Sequence, residues 1–141
     1  MPLQYKPDIG CIVMCNFDKA FKKPEMVKPR PAIIIAPPAA ARPNLCIIVP
    51  LSTNKPQKIM PYHLEINLPF VLPTPFNKAK AWIKANMIYV AGFHRLSLFR
   101  TGKIINGKRQ YFTKAIDKFT LQNIRKAILH GLGMGYMIHH V

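Results

Sequence analysis

Arg30 stands between Pro29 and Pro31, directly before the apolar run Ala32-Ile33-Ile34-Ile35-Ala36. The two prolines restrict the backbone on both sides, so the guanidinium is anchored at the start of a strand-like segment. A second run, Leu45-Cys46-Ile47-Ile48-Val49, leads through Pro50-Leu51 into Ser52-Thr53-Asn54, which offers two hydroxyls and an amide. If the two runs pair as antiparallel neighbours, the start of one lies beside the end of the other, and Arg30 meets Ser52. A planar fork of donors beside a hydroxyl suits phosphate chemistry. The plain alternative is a solvated arginine and an ordinary Ser/Thr/Asn turn. His63, in the next extended segment, has a side chain that titrates near neutrality. It serves as a proton acceptor or phosphate ligand on one face of that strand and as a structural histidine on the other.

Metal chemistry finds little support. The chain has five acids, Asp8, Asp18, Glu25, Glu65 and Asp117, and no paired carboxylates, so a two-metal nuclease site is nearly impossible to build. Cys11 and Cys15 would lie about 13 Å apart along a strand, beyond one metal's reach. Together with Cys46 they read as small core hydrophobes. No glycine-rich phosphate loop occurs, and neither a metal nor another cofactor is expected.

The charge points to a polyanionic partner. The chain carries 21 Lys and Arg against five acids, a formal charge of +16, at 50% apolar composition. Residues 1–70 hold nine bases and four acids, whereas 71–141 hold twelve bases and one acid, Asp117. So apolar a chain folds rather than behaving as a disordered basic tail. At 141 residues a single domain, 1–141, is the natural reading. Pro37, Pro38, Arg42 and Pro50 interrupt the best apolar stretch, so no segment reaches the ~18 apolar residues of a spanning helix. With three cysteines and no secretory signal pattern, a cytoplasmic location is expected and no membrane partner.

The elements that must position these groups follow from pattern. Residues 10–17 read as a strand, 19–30 as a Pro-containing loop, and 32–36 and 45–49 as central buried strands. A further strand ends near Ile66, and the proline-broken segment 67–80 reads as an irregular excursion. Strand character returns at 81–84 and 87–90. Asn106-Gly107 marks a hairpin within 104–111, since both central turn residues need positive φ. Leu121, Ile124, Ala127, Ile128 and Leu132 form a helical stripe that Thr120 opens and Gly131 and Gly133 close, and 133–141 reads as a frayed tail. The expected fold is mainly β, of α+β type: a small curled β-barrel with a C-terminal helix packed on it.

The ordered blocks Pro7-Asp8-Ile9-Gly10 into Asn16-Phe17-Asp18, Glu25…Arg30-Pro31-Ala32-Ile33, Cys46–Thr53 and Pro61-Tyr62-His63-Leu64-Glu65-Ile66 resemble the PemK/MazF family of toxin endoribonucleases. The match is dense over 7–66 and looser through Trp82–Met87 and the final helix. The resemblance implies an SH3-like barrel that cuts single-stranded RNA, mRNA above all, without metal and with sequence preference. The products would be 2′,3′-cyclic phosphate and 5′-hydroxyl ends. It also implies a homodimer held inactive by a cognate antitoxin with an acidic segment. By the same resemblance Arg30 and Ser52 are catalytic, and Glu25 is an acidic position of a loop near the site. Lys84 and Asn86 align with a polar pair whose second member is often acidic; Asn86 cannot ionise but can bond a base edge. Lys28 and the loop lysines Lys19, Lys22 and Lys23 suit RNA backbone contacts, Thr53 adds a hydroxyl, and Phe17, Phe21 and Tyr62 are candidates for base stacking. The competing expectation is a non-catalytic SH3-like binding module, or a toxin of the same fold that blocks a DNA-handling enzyme by contact.

Overall fold

Ile33 and Ile34 are adjacent in sequence and both are fully buried, which is why their strand shows no alternation of polar and apolar residues. The computed structural model describes residues 2–17, 28–36 and 43–141. Its strands are β1 (Ile12–Cys15), β2 (Arg30–Ala36), β3 (Leu45–Ser52), β4 (His63–Asn67), β5 (Lys80–Lys84), β6 (Tyr89–Gly92), β7 (Leu96–Leu98), β8 (Arg100–Ile105) and β9 (Lys108–Tyr111). Helix α1 (Lys118–Gly131) follows, and short 3-10 turns occupy Phe93–Arg95 and Gly135–His140.

Seven strands form one antiparallel sheet in the order β4-β5-β3-β2-β1-β7, with β6 also paired to β3. Strand β3 organises it. Its first half, Leu45–Ile48, pairs with β6, and its last residues, Leu51 and Ser52, pair with β5. Side chains of one parity, Val13, Cys15, Phe17, Ala32, Ile34 and Ile48, build one core with Phe93 and Leu96. The other parity, Ile12, Ile33, Val49, Leu51 and Ile83, builds a second core that receives Ile124 and Ala127 of α1. Both faces of the central strands are therefore covered, as their composition requires.

The closed barrel expected from sequence is not formed among the described residues. β4 and β7 end the strand order without pairing to each other. β7 is only three residues long; beyond it the chain leaves for a separate two-stranded sheet, β8-β9, so β4 has no partner to close on. That hairpin has the expected turn, with Asn106 at φ 53° and Gly107 at φ 76°.

Three local expectations are corrected. The helix starts at Lys118 rather than after Thr120, because the Asp117 carboxylate caps it by accepting from the Thr120 N–H at 2.9 Å and its hydroxyl at 2.6 Å. The tail is not frayed: Gly135–His140 winds into a 3-10 turn, joined to α1 by the Met134 N–H donating to the Leu129 carbonyl at 2.7 Å. The Pro-rich excursion lacks regular structure but is anchored. Leu72 is buried, Leu68, Phe70 and Phe76 pack on the second core, and Phe70 stacks on Phe112 with centroids 4.1 Å apart.

Candidate active site

Ala32 of β2 faces Pro50 of β3, so the same antiparallel register carried two residues outward sets Arg30 level with Ser52. On the other side of β3, Ser52 faces Trp82 of β5, and Lys84 of β5 faces His63 of β4. Residues paired across a ladder, and residues two apart in a strand, share a face. Arg30, Ser52, Lys84 and His63 thus project from one face of the sheet.

They line two adjoining clefts. One, of about 300 Å³, is bounded by Arg30, Ser52, Thr53 and Asn54 with Pro75, Phe76 and Lys78 of the excursion. The other, of about 490 Å³, again contains Arg30, Ser52 and Asn54 and continues past Lys55, Lys58, His63, Lys84 and Asn86. Arg30 and Ser52 sit at the junction. A third cleft of about 370 Å³, formed by residues 2–8 with Cys11, Leu98, Tyr111 and Thr113, shares no residue with them.

The paired clefts are cationic, and among the described residues no carboxylate lines them. Burial, reinforced by the Arg30 charge, holds the Lys84 ammonium below the ordinary lysine pKa. Burial and the Lys84 charge likewise lower His63. Like charges crowded in this way mark a site shaped for an anion. The guanidinium itself carries the clearest sign: Arg30 Nε is buried and finds no acceptor among the described residues. A buried donor left open is costly, and a phosphoryl oxygen at the cleft junction would satisfy it.

The Ser52 hydroxyl, only 6% exposed, accepts from the Asn54 N–H at 3.2 Å. Serine thus shapes the turn and lines the cleft at once. Thr53 borders the smaller cleft, and its carbonyl accepts from the Lys78 ammonium at 3.4 Å. Asn86, exposed, borders the larger one. Its turn is backed by helix α1 through Gly131, where a Cβ would stand 2.8 Å from both the Ala85 carbonyl oxygen and the Asn86 Cα.

Other expected site residues fall elsewhere. His63 lines the cleft, but its Nδ1 accepts from the Met60 N–H at 3.0 Å, and the ring also bonds to the backbone of Lys58. A neutral imidazole accepting at Nδ1 carries its proton on Nε2 and presents a donor rather than a base. These contacts tie His63 to the 58–63 turn while its ring lines the larger cleft. Phe17 is fully buried, 5.1 Å from the Tyr89 ring, so it belongs to the core and offers no face for base stacking. Lys28 is exposed and lines neither cleft. Glu25, Phe21, Lys19, Lys22 and Lys23 lie outside the described residues. Sequence reasoning passed over Lys55, Lys58 and Lys78; the first two were open to view as bases directly after Ser52-Thr53, whereas Lys78 is brought in only by the packing of the excursion.

The thiols take no part. Burial pushes the pKa of Cys11 up to about 11, of Cys15 to about 12 and of Cys46 to about 11, so all three stay protonated. Among the described residues no group of His, Cys, Asp and Glu is arranged to hold a metal ion, and no helix is long and apolar enough to cross a membrane.

Residues 8–128 match the model of the PemK-like, MazF-like toxins of type II toxin–antitoxin systems. The chain belongs to this family. Among its relatives is the protein YifN of Escherichia coli (strain K12), 25% identical over 150 residues that span 94% of this chain and 95% of YifN. Solved PemK/MazF-type structures share the fold. MazF from Deinococcus radiodurans superimposes with a TM-score of 0.59 at 20% identity, covering 93% of this chain and 100% of its own. An endoribonuclease in complex with its cognate antitoxin, from a Mycobacterial species, gives a TM-score of 0.54 at 18% identity, covering 91% and 96%. The antiparallel sheet with one C-terminal helix is thus a MazF fold.

Proposed function

We propose that this PemK/MazF-family chain is a toxin endoribonuclease that cuts single-stranded RNA, mRNA among its targets, at preferred sequences and without a metal ion. The observation that carries the reading is the buried Arg30 Nε, without an acceptor among the described residues, at the junction of two cationic clefts beside Ser52. In the reaction the ribose 2′-oxygen forms a bond to the adjacent phosphorus while the bond to the 5′-oxygen breaks, leaving a 2′,3′-cyclic phosphate and a 5′-hydroxyl. Arg30 neutralises the charge that gathers on the phosphoryl oxygens. Lys84, whose ammonium is made more acidic by burial and by Arg30, gives its proton to the departing 5′-oxygen. The field of both cations lowers the pKa of the 2′-hydroxyl, whose proton passes to solvent. Ser52 orients the phosphate, Thr53 and Asn86 hydrogen-bond the neighbouring nucleotides, and Lys55, Lys58 and Lys78 hold the backbone.

The same cleft suits an acidic antitoxin segment, which would compete with RNA for these cations. A homodimer in the cytoplasm completes the proposal.

The test is incubation of the purified chain with single-stranded RNA in EDTA. Cleavage with cyclic-phosphate ends is expected, falling by about 10²–10³ in Arg30→Ala. Equal rates in Arg30→Ala would remove the site assignment, and intact RNA with the unaltered chain would remove the endoribonuclease reading.

A further inference from the structure

Among the described residues the β8–β9 hairpin pairs with no other strand, and its outer half is solvent-exposed throughout residues 102–109. It carries Arg100, Lys103, Lys108 and Arg109, all exposed, in a stretch with no acid between Glu65 and Asp117. Ile104 and Ile105 at its tip are 68% and 55% exposed. Across the ladder Ile104 faces Arg109 and Ile105 faces Lys108. Neighbours in a strand point to opposite faces, so each face of the tip offers one apolar side chain beside one cation. No continuous apolar face results of the kind a bilayer surface or a second protein copy needs. Cations interleaved with single apolar groups fit a flexible polyanion whose phosphates alternate with apolar sugar and base surface.

The hairpin is also tied to the cleft. At its base the Phe112 N–H donates to the Phe99 carbonyl at 2.8 Å, and the Phe112 ring stacks on Phe70 within 2° of parallel. Phe70 belongs to the excursion whose Pro75, Phe76 and Lys78 form one wall of the smaller cleft. A continuous piece of protein thus leads from Arg30 and Ser52 to the hairpin.

We infer that β8–β9 is a basic arm that holds the RNA strand flanking the cut site through phosphate contacts of Arg100, Lys103, Lys108 and Arg109. The inference rests on the RNA reading of the cleft and extends it. It assigns a role to the charge of 71–141, which the cleft alone uses only in part.

The test compares the unaltered chain with Lys103→Gln/Lys108→Gln/Arg109→Gln. Binding of a fluorescein-labelled, uncleavable 2′-O-methyl RNA of about 30 nucleotides is followed by anisotropy from about 50 to about 200 mM KCl. Losing three phosphate contacts should flatten the plot of log affinity against log salt by about 2 and weaken binding about 10- to 100-fold near 100 mM salt. A dinucleotide, short enough to stay within the cleft, should bind both proteins equally. The variant Lys103→Arg/Lys108→Arg should keep the full slope, and melting curves should match because the substituted side chains are exposed. An unchanged slope in the glutamine variant overturns the arm. So does a variant that keeps the slope while losing attachment to phosphatidylglycerol vesicles, or self-association by sedimentation velocity. Cleavage of unmodified RNA is scored separately: a reduced slope without cleavage leaves the arm and removes the endoribonuclease, whereas cleavage with an unchanged slope does the reverse.

Discussion

Replacing Lys84 by methionine should stabilise the protein near neutral pH while impairing its action on RNA. In the folded chain the Lys84 ammonium is half-buried and faces the Arg30 guanidinium, and both effects lower its pKa. A lysine with a lowered folded pKa binds fewer protons folded than unfolded between that value and about 10.4. Stability therefore rises with pH across that window, and the cost of the buried charge is fully present below it. Discounted for the water that still reaches the side chain, the cost is on the order of 0.5–1 kcal/mol. Relief of that amount in Lys84→Met raises Tm by about 1–3 °C for a chain of this size. The advantage should shrink as pH rises through that window and be gone above about 10.4, where the native lysine is neutral in both states. Loss of the proton donor should lower RNA cleavage about 10²–10⁴-fold. Melting curves followed by circular dichroism at several pH values, with cleavage assays on the same preparations, measure both halves. A Tm difference that stays constant from neutral to alkaline pH would refute the like-charge argument, because packing changes are independent of lysine protonation.

Two further substitutions probe what surrounds the cleft. His63→Asn keeps an acceptor for the Met60 N–H, so it should retain most cleavage and the native pH–rate profile, while His63→Ala loses about 1 kcal/mol of stability. Disappearance of a pH–rate limb in His63→Asn would identify the histidine as the base. Gly131→Ala places a methyl 2.8 Å from backbone atoms of the turn bearing Asn86. Overpacking of about 1–3 kcal/mol should exceed the helix-propensity gain of at most about 1 kcal/mol, so Tm should fall and the Asn86 amide resonance should move. A raised Tm would show that helix and turn are not in tight contact.

The convergence of Arg30 and Ser52 was legible in sequence because two unbroken apolar runs constrain each other to antiparallel pairing, and a strand's start then adjoins its neighbour's end. The Asn106-Gly107 hairpin was legible for a local reason, the positive φ of both residues. Phe17 was not. When both faces of a sheet are buried, periodicity cannot say that Val13, Cys15 and Phe17 share one interior face, and an aromatic at a strand end reads equally as core or as a stacking surface. The turn contact of His63 was not legible, because the Met60 N–H three residues away that it accepts from has no signature in the strand pattern. Closure was not legible either: among the described residues β4 and the three-residue β7 end the strand order without pairing, and strand patterns do not say which edges meet. The anchoring of Phe70 and Leu72 was hidden by the prolines around them, which announce irregular backbone without revealing where the side chains go.

The central claim, that a phosphate of RNA occupies the junction of the two clefts, is tested most directly at Arg30 Nε by nitrogen–proton NMR. The probe is a single-stranded RNA carrying 2′-deoxyribose at its cut site, so that it binds without being cleaved. The account predicts that saturating RNA shifts the Nε–H resonance downfield and slows its exchange with water, as a donor with no acceptor among the described residues gains an anionic one. An Nε–H resonance that keeps its position and exchange rate while RNA binds would contradict it.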